Sequence, residues 1–258
     1  EAGALVGRTW GASGWLLTGS YSYAGASCTA PLSCHGPVAG ETAVADLSTF
    51  YSASSAPLSS WNFSSAWSAR ANDFPVLRSA AAGTLTSCAG HATDVPFAGG
   101  TGTLEDPFLI CSVVQLGALA ADTNYWSHWY AFRLMGDLDL TGFDTSAFPI
   151  GNATEPFVGF VDGNGQTISG FALTSGVANG VGLFGNFAGV VRRLGVVDVN
   201  VQGSGTFVGG LIGQTFRPGL YTPGFVVDVY TSGSVTGASG VAGLIGLSDI
   251  AVANCYTT

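Results

Sequence analysis

Short apolar runs alternate with turn residues between Asp137 and Leu173: Phe157-Val158-Gly159-Phe160-Val161 and Thr167-Ile168-Ser169-Gly170-Phe171 flank the compact corner Asp162-Gly163-Asn164-Gly165. Runs this short, closed by Gly, Asn and Asp, read as strand, turn, strand, and the stretch holds no helical period of ten residues. The pattern then repeats. Gly182-Leu183-Phe184-Gly185, Gly210-Leu211-Ile212-Gly213 and Gly243-Leu244-Ile245-Gly246 follow one another after 28 and 33 residues (182 to 210, 210 to 243), and Gly3-Ala4-Leu5-Val6-Gly7 is a degenerate fourth copy. Arg193–Val201 and Phe225–Thr231 supply further strands between copies. A period of this length marks stacked units. Two or three strands per period and no helix predict one coil of a parallel β-solenoid.

Three segments follow from the same pattern. Residues 1–27 read as the end of a preceding repeat array, 28–98 as a loop-rich closing and connecting segment, and 99–258 as the main solenoid. In the last, Val113, Leu116, Leu119 and Ala120 have helical spacing and Asp122 closes the run, which predicts a short helix over the open end of the sheet. Ala43–Ser52 is a second short helix expectation. The repeat phase is unfinished at Thr258, and residue 1 placed after it nearly continues the pattern, so we expect a segment of a longer array or end-to-end stacking of copies.

These residues resemble a known family. Gly100–Ile110, Gln115-Leu116, Asp137-Leu138-Asp139-Leu140, Pro149-Ile150-Gly151, Phe157–Gly165 and the Gly-Leu-Ile-Gly copies with Asn254-Cys255-Tyr256 together are similar to the GLUG-repeat family of secreted and surface-attached proteins. That family includes adhesin-like proteins and non-catalytic parts of IgA-protease-like proteins. The resemblance implies an all-β, right-handed parallel β-helix with an extracellular structural or adhesive role. It implies no catalytic residue, because the shared positions are glycines, turn residues and core apolar residues. In the same family a pattern similar to Trp61-Asn62-Phe63-Ser64-Ser65-Ala66-Trp67 followed by Pro75-Val76-Leu77 closes an array.

Composition narrows the partners. Only 9% of the 258 residues are charged, lysine is absent, and seven arginines against 16 acids leave a net charge of −9. A cationic face for nucleic acid or anionic lipid is excluded on that balance. No uninterrupted apolar run reaches the length of a membrane-crossing helix. Neighbours of the same kind, flanking repeats or copies of itself, are the expected partners, with surface glycans as a further class. Cysteine placement points to an oxidising, extracellular or cell-surface location: Cys28 with Cys34 and Cys88 with Cys111 are the expected bridges. The second would close a long loop and contribute about 3 kcal/mol. Cys255 is left over, either a small core residue or a thiol open to intermolecular pairing.

Candidate chemistry is sparse. A glycosidase needs two carboxylates across a sugar, and Asp137 with Asp139, two apart on one strand face, are the nearest pair; turn-ordering is their other reading. A lyase would need a base, and the repeats offer only Arg133, Arg192, Arg193 and Arg217. We therefore expect no enzyme activity, no metal site and no cofactor. Asp162-Gly163-Asn164-Gly165 reads as a corner rather than a calcium loop. His35, His91 and His128 lie in separate loops. Trp126, Trp129 and Tyr130 are the candidates for glycan contact in the alternative reading, a polysaccharide-binding or polysaccharide-cleaving β-helix, and Trp61 and Trp67 are either buried or a second platform. Asn62 and Asn152 open N-glycosylation triplets.

Overall fold

The computed structural model describes residues 17–18, 20–23, 41–44, 58–64, 66–70, 73–77, 88–215 and 224–258. The strands in chain order begin with β1 (Leu17–Thr18), β2 (Ser20–Tyr23) and β3 (Glu41–Val44), then the hairpin β4 (Trp67–Arg70) and β5 (Asp73–Leu77). After β6 (Phe108–Ile110) comes the helix α1 (Val113–Ala121), then β7 (Ala131–Leu134), β8 (Leu138–Asp139), β9 (Phe160–Asp162), β10 (Thr167–Ser169), β11 (Ala172–Ser175), β12 (Asn179–Val181) and β13 (Phe184–Phe187). Two complete coils follow, β14 (Val190–Gly203), β15 (Thr206–Gly209) and β16 (Ile212–Thr215), then β17 (Phe225–Thr236), β18 (Ser239–Ala242) and β19 (Ile245–Leu247), before β20 (Ala251–Ala253) and β21 (Tyr256–Thr257).

Three parallel sheets wall the core: a 13-stranded one, β12-β15-β18, and β13-β16-β19. Each wall takes one strand position from successive coils, which is the arrangement of a parallel β-solenoid. The Gly-Leu-x-Gly copies lie one above another, with Phe184, Ile212 and Ile245 in register and Leu183, Leu211 and Leu244 fully buried. Backbone bonds run from Phe184 N to Leu211 O and from Leu211 N to Leu244 O. Glycine is required at these corners because the next coil's backbone is already in contact: a Cβ on Gly210 would stand 2.3 Å from Gly243 O. Inside, Val191, Val226 and Val252 form one column, and Leu194, Val229 and Cys255 form another.

One end is closed as the apolar spacing predicts. Ser112 caps α1 by accepting from Gln115 N, Asp122 ends it, and Leu116, Leu119 and Ala120 are buried. Gln115, also buried, accepts from Cys111 N and donates to Ala92 O. The outer edge of β6 is occupied by the 98–99 stretch: Ala98 N donates to Leu109 O, and Leu109 N to Gly99 O.

At the other end the chain folds back upon itself. β1 pairs with β20 (Leu17 with Val252), β2 with β21 (Tyr21 with Tyr256), and β3 with β2, all parallel. The large sheet therefore runs β6-β7-β9-β14-β17-β21-β2-β3, and β2 and β3, early in the chain, form its last levels among the described residues. Ala43 and Val44 belong to β3, so the helix expected at Ala43–Ser52 does not begin there; a strand edge at β2 supplies hydrogen-bond partners that a lone helical turn would lack. Residues 45–52, the Gly3–Gly7 copy, Cys28, Cys34, His35 and Arg217 lie outside the described residues.

The antiparallel β4-β5 hairpin packs on the outside of this end. Trp67 is fully buried, Trp61 and Tyr256 nearly so. Tyr230 and Tyr256 stack at 5.2 Å, Trp67 sits 5.7 Å from the Tyr256 ring, and Trp67 Nε1 donates to Asp228 Oδ1 at 3.2 Å. Tyr256 Oη donates to Pro75 O. These tryptophans are thus buried against a coil. No helix among the described residues is long and apolar enough to cross a membrane.

Candidate functional site

Among the described residues, a cluster of three arginines about one aspartate lies on the outer face of the large sheet. Phe132, Val161 and Val191 point inward, so their neighbours Arg133, Asp162 and Arg192, which stand in register on β7, β9 and β14, point outward. Asp162 is nevertheless only 1% exposed, because arginine side chains cover it. Its Oδ2 accepts from Arg192 Nη2 at 2.9 Å and from Arg193 Nη2 at 2.6 Å; its Oδ1 accepts from Arg193 Nε at 3.0 Å, from Arg193 Nη2 at 2.8 Å and from Asn164 N at 2.9 Å. Arg133 Nε remains 3.7 Å from Oδ2, an ion pair without a hydrogen bond. Burial alone would push this carboxyl up, but the Arg193 hydrogen bonds and the Arg193 and Arg192 charges outweigh it and hold it below the ordinary carboxylate range.

Backbone geometry marks the same spot. The long strands turn at a left-handed residue, and in successive coils that position is Arg193 (φ 53°), Asp228 (φ 54°) and Asn254 (φ 53°). Asp and Asn tolerate this conformation; arginine enters it at a cost of roughly 1–2 kcal/mol. The side chain that Arg193 sends to Asp162 offsets that strain. Beside the cluster a cavity of about 280 Å³ is lined by Leu104, Pro107, Phe160, Arg133, Asp162 and Arg192 among others. The Arg192 guanidinium lies 4.8 Å from the Phe160 ring centre. Sequence reading placed Asp162 only in a corner. The available signal was the Arg192-Arg193 pair following Asp162 at about one coil's separation.

The expected aromatic platform is divided by the structure. Trp126, expected as a glycan contact, is 5% exposed and its Nε1 donates to Leu119 O at 2.8 Å, so its ring packs in the cap at the end of α1. Tyr130 packs edge-on against Phe108 at 5.4 Å and is stacked by His128 at 5.3 Å. Trp129 alone of the three is open, at 60% exposure.

Other expected residues serve local structure. Asp137 Oδ1 accepts from Thr167 N and Oγ1 in the next coil, and Asp139 Oδ1 accepts from Thr141 N. Hydrogen bonds from Thr141, side chain first and then backbone, lower the Asp139 pKa. Asn164 (φ 57°) and Gly165 (φ 78°) form the left-handed corner expected of Asp162-Gly163-Asn164-Gly165. Asn62 and Asn152 are exposed, and each accepts from the residue two positions on, Ser64 N and Thr154 N. His91 Nδ1 donates to Ala98 O, and His128 Nδ1 to Asn124 O. Cys88 and Cys111 are bridged, with Cα atoms 5.5 Å apart. Cys255 is a free, fully buried thiol. Among the described residues no group of three or more His, Cys, Asp and Glu is placed to hold a metal ion.

No family model matches the chain. A protein of Evansella cellulosilytica, provisionally named a Gly-rich membrane protein, is 36% identical over 135 residues, 49% of this chain and 15% of that protein. Halomucin of Haloquadratum walsbyi is 35% identical over 163 residues, 58% of this chain and 2% of its own length. The chain thus spans a small fraction of either relative. A crystal structure from Bacteroides ovatus, provisionally named an immunoglobulin A1 protease, overlays with a TM-score of 0.48 at 20% identity, covering 66% of this chain and 61% of that one.

Proposed function

We propose that the chain is a non-catalytic structural or adhesive segment of a much longer extracellular or cell-surface protein: a right-handed β-helix of the GLUG-repeat kind, set end to end with flanking repeats or with copies of itself. The observation that carries this reading is the register of the Gly-Leu-x-Gly copies, in which the apolar side chains fill the interior and the backbone bonds of each coil are spent on the next. The disulfide Cys88–Cys111 supports an oxidising compartment. The small share of each relative that the chain matches supports a place within a larger protein. Asp137 and Asp139, the best acid pair in the sequence, are engaged with Thr167 and Thr141, which supports a scaffold rather than a hydrolase. Among the described residues β3 pairs on one side only, which supports axial contact at that end, whereas β6 is covered.

Cryo-electron microscopy of the protein in its native source tests the reading. Continuous rods with coils following β3 are the expected result; discrete particles that release reducing ends from polysaccharide would overturn it. A second reading, glycan binding, is favoured by one observation, the open Trp129 beside the His128–Tyr130 stack. Glycan-array binding that Trp129→Ala abolishes would establish it, and an empty array would retire it.

A further inference from the structure

We propose that the cleft over Asp162 binds a single carboxylate or sulfate group carried on a sugar. This inference is independent of whether the segment extends a filament. Three guanidiniums meet one carboxylate here, a local excess of two positive charges in a chain whose net charge is −9. Asp162 is saturated, since its two oxygens already accept from Asn164, Arg192 and Arg193. The buried Nε atoms of Arg133 and Arg192 have no hydrogen-bond partner. Arg133 therefore adds charge without a bonded acceptor, and a structural ion pair has no need of it. Arg192 and Arg133 side chains are 40% and 33% exposed, and both line the cleft. An incoming oxyanion would supply the acceptors that Asp162 cannot, in the forked geometry that guanidinium favours.

The surroundings select the body that carries the charge. In register along the sheet, Leu109 precedes Arg133, and Val227 and Ala253 follow Arg192, so the two arginines that line the cleft have apolar neighbours in both directions, while Arg193, turned onto Asp162, is followed by Asp228 and Asn254. That arrangement fits one isolated anionic group on an otherwise neutral body rather than a run of acids. A cavity of about 280 Å³ walled by Leu104, Pro107 and Phe160 matches one sugar unit, at the small end of ligand pockets. The left-handed Arg193, where the neighbouring coils use Asp228 and Asn254, is a second mark of a site whose local strain is tolerated for its side chain.

Calorimetric or NMR titration of the full chain at constant ionic strength tests the assignment, with glucuronic acid, glucose 6-sulfate, glucose and inorganic sulfate as probes. The acidic sugars should bind and glucose should not. Arg133→Gln, checked for fold by circular dichroism, should weaken binding about tenfold or more by removing charge-assisted bonds. Leu104→Glu, at an exposed rim position (60% exposed), should weaken it as well and provides a variant with no core contact to lose. Equal affinity for glucose and glucuronic acid, or unchanged affinity in both variants, would overturn the proposal. Inorganic sulfate binding as tightly as glucose 6-sulfate would overturn the assignment to a sugar, and no binding by any probe would remove the site altogether.

Discussion

An ionised carboxylate at 1% exposure persists in a solenoid wall only when its charge and lone pairs are answered, and Asp162 has both answered from one coil away. Asp162→Asn leaves three arginines without a counter-charge. Those arginine side chains are 24–40% exposed, so solvent answers part of the lost charge and the change costs about 1–3 kcal/mol, which for a chain of this size lowers Tm by several degrees; thermal melts of the two proteins check it. The same group gives the pH dependence a definite sign. Its folded pKa lies below the ordinary value of 3.8, so its stabilisation is present above that value and is lost as pH falls through the lower, folded one. Melts of the native chain should lose more stability on acidification below pH 4 than melts of Asp162→Asn. Cys255 is the converse case: burial first, and the Asp228 charge with it, push the thiol up, so it stays protonated. A disulfide reagent at pH 8 should leave it unmodified in the native chain and label it on unfolding.

At the scale of the coil, backbone approaches backbone and glycine decides where. Gly210→Val would place its Cβ 2.3 Å from Gly243 O, a clash that no side-chain movement relieves, whereas Gly136 has nothing within 4 Å. Gly210→Val should therefore melt several degrees lower, while Gly136→Ala should hold or gain slightly through the unfolded state; differential scanning calorimetry of the pair separates a corner requirement from a general intolerance of substitution. These corners were legible in the sequence because Gly-Leu-x-Gly is a local motif, as was α1, whose apolar spacing and Asp122 cap are also local. The cluster at Asp162 was not. Which residues of neighbouring coils become adjacent depends on coil length, and the pairings place residues 30 or 31 apart at Asp162 but 28 apart at Asn186 and 34 apart at Thr215. Strand signals alone leave that register open, so Arg133, Asp162 and Arg192 could not be brought together before the structure was known.

At the scale of the molecule, the contact that closes the chain joins Leu17 to Val252 and Tyr21 to Tyr256, and it is non-local in the extreme. The repeat phase pointed to it, since residue 1 nearly continues the pattern after residue 258, yet the phase does not say whether the continuation comes from the same chain. Chain reach permits it. From Leu77, in the hairpin seated on the Tyr256 level, to Cys88, bridged beside β6, the backbone can extend to about 38 Å at most. The five steps from β21 back to β6 need about 24 Å. The hairpin reinforces the closure, because Trp67 covers the two tyrosines of the levels to which β2 is added. Proline at Tyr21 removes one N–H from this parallel ladder and cannot sit in a central strand. Hydrogen exchange on Tyr21→Pro should therefore show lost protection at Tyr256 and Thr257 with Val190–Gly203 unaffected. Protection that persists at Tyr256 would mean that the last coil is held by the hairpin and not by the chain's own first strands.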